Sequence, residues 1–190
     1  HLLWNKKLWT ICEVANIIEH LESDDLRSFG DGSVREQWGA YAWCLTGRSN
    51  DDKFSVRKGC VHGHRNQMKA LRAEASYVLS VLCLIYTIQD FTSTKGSIEI
   101  HTDCQGLINK VNDKNINRPS LVLSDHIDII YEIRYIMKAI RHDVKILFTR
   151  AAKKEREGDP PPEIPPTPEE IIMRDMHDLA TSYYHNEQSN

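Results

Sequence analysis

The segment from Asn66 to Gln89 constrains this chain more than any other. Met68, Leu71, Ala75, Val78, Leu82 and Ile85 recur at the helical period, and the second half of the segment is apolar almost all round. A helix of that kind has no side to give to water, so it must lie buried against a sheet. Yet Glu74 sits inside it, in Arg72-Ala73-Glu74-Ala75. A carboxylate there is costly unless something compensates its charge. Either Glu74 faces solvent beside a partner, or it is held inside for a chemical purpose.

A sheet to receive that helix is legible on both sides of it. Leu26 to Val34, Gln37 to Leu45 and Phe54 to Val61 read as three strands, with a turn over Thr46 to Asp52, which makes an antiparallel meander. Ser97 to Thr102 is a short strand ending at Asp103, and Cys104 to Asn112 a short helix. Pro119 opens a second long helix, with Ile127, Ile130, Ile133, Met137 and Ile140 turned inward, and Val144 to Thr149 is a last strand. Residues 151–168 form a charged, proline-rich loop that can be neither helix nor sheet interior. Thr167, Pro168 and Glu170 then spell a helix start, with a capping box and an apolar stripe of Ile172, Met176, Leu179 and Tyr183. The order is βββαβααβα, an α/β (mixed α+β) domain whose five-stranded mixed sheet is flanked by helices. It spans residues 27–186, after an amphipathic helical extension over residues 1–26 that carries Trp4, Leu8, Trp9, Val14, Ile17, Ile18 and Leu21.

Composition narrows the partners. The 190 residues suit one domain with a flanking segment, and a hydrophobic content of 41% suffices for a core. The formal net charge of -3 means that any basic footprint for nucleic acid must be local or come from a neighbouring domain. Five scattered cysteines without a CxxC pair read as reduced, in the cytoplasm or nucleus. Cys60, His62 and His64 alternate along a strand end without an evident fourth ligand, which makes a poor zinc site. Tyr77 to Ile88, the longest nearly apolar run, is too short to span a bilayer and no signal peptide appears, so no membrane is expected.

Chemistry is carried by acids. A two-metal nuclease needs several carboxylates converging from different elements on two cations ~3.5–4 Å apart, and Mg²⁺ prefers such oxygen ligands. Three acids meet the description: Asp31 late in the first strand, Glu74 in the buried helix and Asp103 at the end of the fourth strand. Each has an ordinary explanation: a turn aspartate in Asp31-Gly32-Ser33, a helical surface glutamate, an N-cap. The three together, in this order and on these elements, fit coincidence poorly.

The motifs FGDGSV (29–34), GAYAW (39–43), LRAEA (71–75) and IHTDCQGLI (100–108), with a third strand punctuated by Gly59 and Gly63, resemble the ribonuclease H family. They are most similar to the domains carried by retrotransposon reverse transcriptases, over about residues 26 to 184. The resemblance implies an endonuclease that cuts the RNA strand of RNA/DNA hybrids with two Mg²⁺ or Mn²⁺, leaving 5′-phosphate and 3′-hydroxyl ends. Asp31, Glu74 and Asp103 stand at the family's first three metal-binding positions. Residues 1–26 would be the tail of an upstream reverse transcriptase domain or a connection.

Two departures accompany the resemblance. The family's fourth acid lies early in the last helix, where this chain offers His177 on an ungapped alignment, Asp178 with a one-residue shift, and Asp175 nearer the apolar stripe. The family's loop histidine after the fifth strand is missing from Phe148-Thr149-Arg150-Ala151-Ala152; Lys153, Lys154 and Arg156 follow instead. Ser33, Arg72 and Gln105 stand beside the acids as candidates for touching the hybrid backbone, which is read by shape, phosphates and 2′-hydroxyls. The competing reading is a weak or inactive ribonuclease H-like module serving as a scaffold or a nucleic-acid or protein-binding domain. A proofreading exonuclease would carry Asp-x-Glu on the first strand, and an integrase would place its glutamate last.

Overall fold

The computed structural model describes residues 11–48, 52–115, 126–153 and 164–187, with the side chains of 184–187 excepted. Strands β1 (Leu26–Arg35), β2 (Trp38–Gly47) and β3 (Lys53–Cys60) form the antiparallel meander that three consecutive strand signals imply. Strands β4 (Ser97–Thr102) and β5 (Asp143–Phe148) extend the sheet in parallel from the other side of β1, giving the order β3-β2-β1-β4-β5. Parallel neighbours need long crossovers. Helix α2 (Ala70–Phe91) makes the first, and α3 (Gln105–Asn112) with α4 (Ile127–Ala139) lie in the second. Helix α1 (Ile11–Glu22) precedes the sheet and α5 (Pro168–Glu187) follows it.

The two faces of the sheet are sorted by the alternation of side chains along β1. Gly30 and Gly32 face α2, while Phe29, Asp31 and Ser33 face α5. A Cβ on Gly32 would stand 2.4 Å from the carbonyl carbon of Ala73 and from the backbone nitrogen of Glu74. Asp31-Gly32-Ser33 is therefore not a turn. It lies within β1, and its glycine lets the α2 backbone press directly on the strand. The turn comes later, at Glu36, with φ 57°. On the α2 side, Val78, Leu82, Ile85, Ile98, Ile100, Ile130 and Ile133 make one continuous, fully buried core. On the α5 side, Phe29, Ala42, Cys44, Ile172, Met173, Met176 and Ala180 form a smaller one.

Helix α2 is long and apolar enough to cross a membrane by length and composition, more so than the run Tyr77 to Ile88 suggested. In this fold 67% of its most apolar stretch is buried, as the central helix of a core. It starts at Ala70, four residues later than the periodicity suggests. A short 3₁₀ turn occupies Arg65–Gln67, closed by the Gln67 side chain accepting from the His64 backbone N–H at 3.2 Å, and Met68 is extended. The capping box of α5 forms as its residues require: Thr167 N–H donates to Glu170 Oε2 at 3.0 Å and Glu170 N–H to Thr167 Oγ1 at 3.3 Å. Helix α1 packs on the domain, with Ile17 and Leu21 fully buried in the larger core. Its end lies so close to Gly96, at φ +155°, that a Cβ there would meet the Leu21 carbonyl oxygen at 1.7 Å. Trp4, Leu8 and Trp9 of the extension, the Pro119 start of the second long helix, and Lys154 and Arg156 of the proline-rich loop lie outside the described residues.

Candidate metal centre

Three elements deliver one carboxylate each. Asp31 projects from β1 toward α5, Glu74 reaches across from the second turn of α2, and Asp103 follows β4, whose pairing sets His101 beside Phe29. One oxygen of each lies within 4.8 Å of the others, and among the described residues these three are the group able to hold a metal ion. Gly32 makes the convergence possible. Having no side chain, it lets Glu74 arrive from the opposite face, and its N–H donates to Glu74 Oε1 at 2.9 Å and to Asp31 Oδ1 at 2.8 Å. Thr102, fully buried, fixes the other oxygen by donating from Oγ1 to Glu74 Oε2 at 2.9 Å. The Thr102 hydroxyl also accepts from the Cys104 N–H at 3.2 Å, tying the loop that carries Asp103 to the same point. Thr102 is thus a positioning residue that sequence reasoning passed over, although it stands next to Asp103 in a motif already noted.

The electrostatics show three carboxyls crowded beyond comfort. Burial drives the Glu74 carboxyl well above the ordinary carboxylate range, and the hydrogen bond and charge of Asp31 push it further. Asp103 is also raised, by burial and then by Asp31. Burial works against the Asp31 charge too, but the hydrogen bonds from His177 and Glu74 outweigh it and hold Asp31 below its usual value. Glu74 and Asp103 thus hold their protons more tightly than free carboxyls, and a cation bound among the three would favour their charged forms. All the donors are hard oxygens, a set that fits Mg²⁺ or Mn²⁺. No ion is present.

From α5, His177 reaches the acids. Its Nδ1 lies 2.5 Å from Asp31 Oδ2, and this hydrogen bond raises the imidazole pKa. The histidine is 54% exposed, while Asp31 is 5% exposed. Asp178, half-buried at the next position, adds charge beside the ring. Asp175 turns away and pairs with Lys53 of β3 at 2.5 Å, so the candidate nearest the apolar stripe is used as a brace between α5 and the sheet.

The proposed substrate contacts separate in the same way. Ser33 stays on the Asp31 face, 3.4 Å from Thr181 Oγ1, and Gln105 is exposed at the start of α3, bonded to Asn109 at 3.0 Å. Arg72 is different. It is 6% exposed, its two terminal nitrogens donate to Asp128 at 2.9 and 2.7 Å, and its Nε donates to the His62 carbonyl. It braces α2 against α4 and the loop after β3. Cys60 and His62 approach to 3.9 Å, but His64 turns to Asn66 at 2.9 Å, and the three join no metal-capable group among the described residues.

No family model matches the sequence, and no curated protein matches it. Solved structures do. The ribonuclease H1 called LC11, isolated from compost and solved in complex with an RNA/DNA hybrid, shares 12% identity over 65% of this chain and 84% of its own, with a TM-score of 0.50. The fold is that of ribonuclease H. The ribonuclease H1 of the archaeon Halobacterium salinarum matches at 17% identity, over 65% of this chain and 84% of its own, with a TM-score of 0.46. The prototype foamy virus protease–reverse transcriptase matches at 13% identity, over 83% of this chain and 20% of that one, with a TM-score of 0.47. At these identities the likeness shows the ribonuclease H fold alone.

Proposed function

We propose that this chain is a metal-dependent endonuclease that cuts the RNA strand of RNA/DNA hybrids, as the ribonuclease H part of a retrotransposon-type reverse transcriptase. The observation that carries the reading is the convergence of Asp31, Glu74 and Asp103, from three separate elements, within 4.8 Å of one another. Structural ion pairs do not need three acids at one point, two of them buried, whereas a pair of divalent cations does. Such cations, when bound, supply Lewis acidity at the scissile phosphate and make water a nucleophile near neutral pH. The protein's part is to hold and orient. Asp31, Glu74 and Asp103 supply the oxygens, with His177 or Asp178 completing the set. The Gly32 N–H and the Thr102 hydroxyl keep Glu74 aimed at its neighbours. Ser33 and Gln105 flank the acids for contact with the sugar–phosphate backbone. The LC11 structure, solved with a hybrid, supports that substrate class. The retroelement setting, with a reverse transcriptase domain upstream in the same polypeptide, rests on the motif resemblance. The five free cysteines accord with a reducing, intracellular setting.

A second reading is favoured by one observation: the His177 ring grips Asp31, a ligand the first cation would need. On that reading the site is weak or retired and the domain is a scaffold. Cleavage of a labelled RNA/DNA hybrid in Mg²⁺ and in Mn²⁺, beside Asp103→Asn, separates the two. The expected result is cleavage that Asp103→Asn abolishes while its melting curve stays cooperative. Cleavage at the parental rate by Asp103→Asn would sink the assignment, and folded protein silent in both metals would select the scaffold.

A further inference from the structure

The chain's net charge of -3 asks where a polyanion could be held. One surface answers. Trp38, at the tip of the β1–β2 hairpin, is 60% exposed, and the guanidinium carbon of Arg65 lies 5.4 Å from the centre of its ring. Trp38 pairs with Arg35, which shares the β1 face of Asp31 and Ser33. The connection from β3 to α2 runs alongside, since the Val61 N–H donates to the Gly39 carbonyl at 2.8 Å. Arg35, Lys58, Arg65 and Lys69 are all exposed there, against the single acid Glu36. Four cations less one anion leave +3 on residues 33–38 and 58–69, opposite in sign to the chain as a whole. The exposed imidazoles of His62 and His64 lie in the same strip. Asp128, on α4, is paired with Arg72.

We propose that Trp38 and Arg65 form a second grip on the RNA/DNA hybrid, placed along the duplex from the acids; this rests on the nuclease reading above. Ala42 is the partner of Asp31, and Trp38 lies four residues further along β2. At ~3.4 Å per residue that is about 14 Å, on the order of four base steps of a duplex. The chemistry suits a sequence-blind contact. The indole face packs on a sugar or base whatever its identity, and the guanidinium meets a phosphate. Arg65 lying over the ring keeps the indole turned out and places the cation beside it. The wider basic strip steers the duplex toward the carboxylates, whose own charge would repel it.

The test is hybrid affinity, read by fluorescence anisotropy with a labelled RNA/DNA hybrid, in the full chain carrying Asp103→Asn so that cleavage does not interfere. Trp38→Ala should weaken binding about tenfold or more, and Trp38→Phe should hold it near the parent. Arg65→Gln should weaken binding about threefold and lower the slope of log affinity against log salt by about 1. Trp38 is exposed, so unchanged melting of each variant keeps the comparison clean. If the parent binds and both Trp38→Ala and Arg65→Gln bind within about twofold of it, the grip is disproved and the nuclease reading stands. If the folded parent does not bind the hybrid at all, the grip and the reading beneath it fall together.

Discussion

The two faces of the sheet are built on different principles. Under α2 lies a dry core, where the fully buried Val78, Leu82, Ile85, Ile98, Ile100 and Ile130 supply the burial that drives folding. Under α5 the apolar cluster is small, and charged pairs surround it: Arg27 with Glu169 at 3.2 Å, Lys53 with Asp175 at 2.5 Å, and Asp31 with His177. The candidate site lies at the seam. Asp31 belongs to the charged face, Glu74 to the dry one, and Gly32 is the aperture between them. The core face gives the site rigidity, and the ionic face gives it a place where acids can be tolerated.

The largest expected effect comes from closing the aperture. A methyl group at Gly32 meets backbone atoms of Ala73 and Glu74, which cannot swing aside as a side-chain tip can. Gly32→Ala should cost about 3 kcal/mol or more by denaturant melts, and should uncouple Glu74 from Asp31. A melt within about 1 kcal/mol of the parent would show that α2 does not rest on β1 as described. Next come the faces themselves. Leu82→Ala, in the dry core, should cost about 4 kcal/mol, whereas Met176→Ala, in the thin cluster beneath α5, should cost about 2. Equal losses would erase the distinction between the faces.

Much of this was legible in the sequence because periodicity reports burial. The meander, the apolar α2 and the capping box of α5 follow from local pattern and cap chemistry. The acids Asp31, Glu74 and Asp103 stood out as charges where charges are costly. Other features were not legible, for physical reasons. Arg72 looked like a substrate contact because it neighbours Glu74, but only the approach of α4 reveals Asp128 as its partner. Gly32 looked like a turn residue because close approach by α2 leaves no trace in β1 itself. Whether His177, Asp178 or Asp175 faces the acids depends on the rotation of α5, which one residue of register decides. Lys53, far away in sequence, removes Asp175 from the choice.

A smaller effect sharpens the ionic face. On the proposal that His177 serves as the fourth ligand, a ring stands where an acid would serve Mg²⁺ better. His177→Asp should raise Mg²⁺-supported cleavage about tenfold and narrow any preference for Mn²⁺. No gain, together with collapse of activity in Asp178→Asn, would assign the fourth ligand to Asp178.

The gentlest probe is pH, because His142 and His101 are held below the ordinary imidazole value and His177 above it, so their slopes have opposite signs. His142, 5% exposed just before β5, is held below its ordinary pKa by burial and then by Arg141. The unfolded chain therefore takes up this proton first as acid is added. Stability from His142 is present above the unfolded value near 6.5 and is lost as pH falls toward the depressed folded one. His177 is raised by its hydrogen bond to Asp31, so the folded state keeps this proton longer. Its contribution is present below about 6.5 and is lost as pH rises through the folded pKa. Melting temperature of the metal-free protein, followed from pH 5 to 8, should therefore show two limbs. His142→Leu should make the acid limb shallower, to which His101, held down at about 4 by burial, also contributes, and His177→Ala should make the alkaline limb shallower, to which the raised Glu74 carboxyl also contributes. Adding Mg²⁺ should reduce the alkaline limb further, because a cation among the acids favours the charged Glu74 and competes with the imidazole for Asp31. An alkaline limb as steep in His177→Ala as in the parent would mean that the pair contributes nothing to the fold and that α5 is held by its apolar contacts and its other ion pairs.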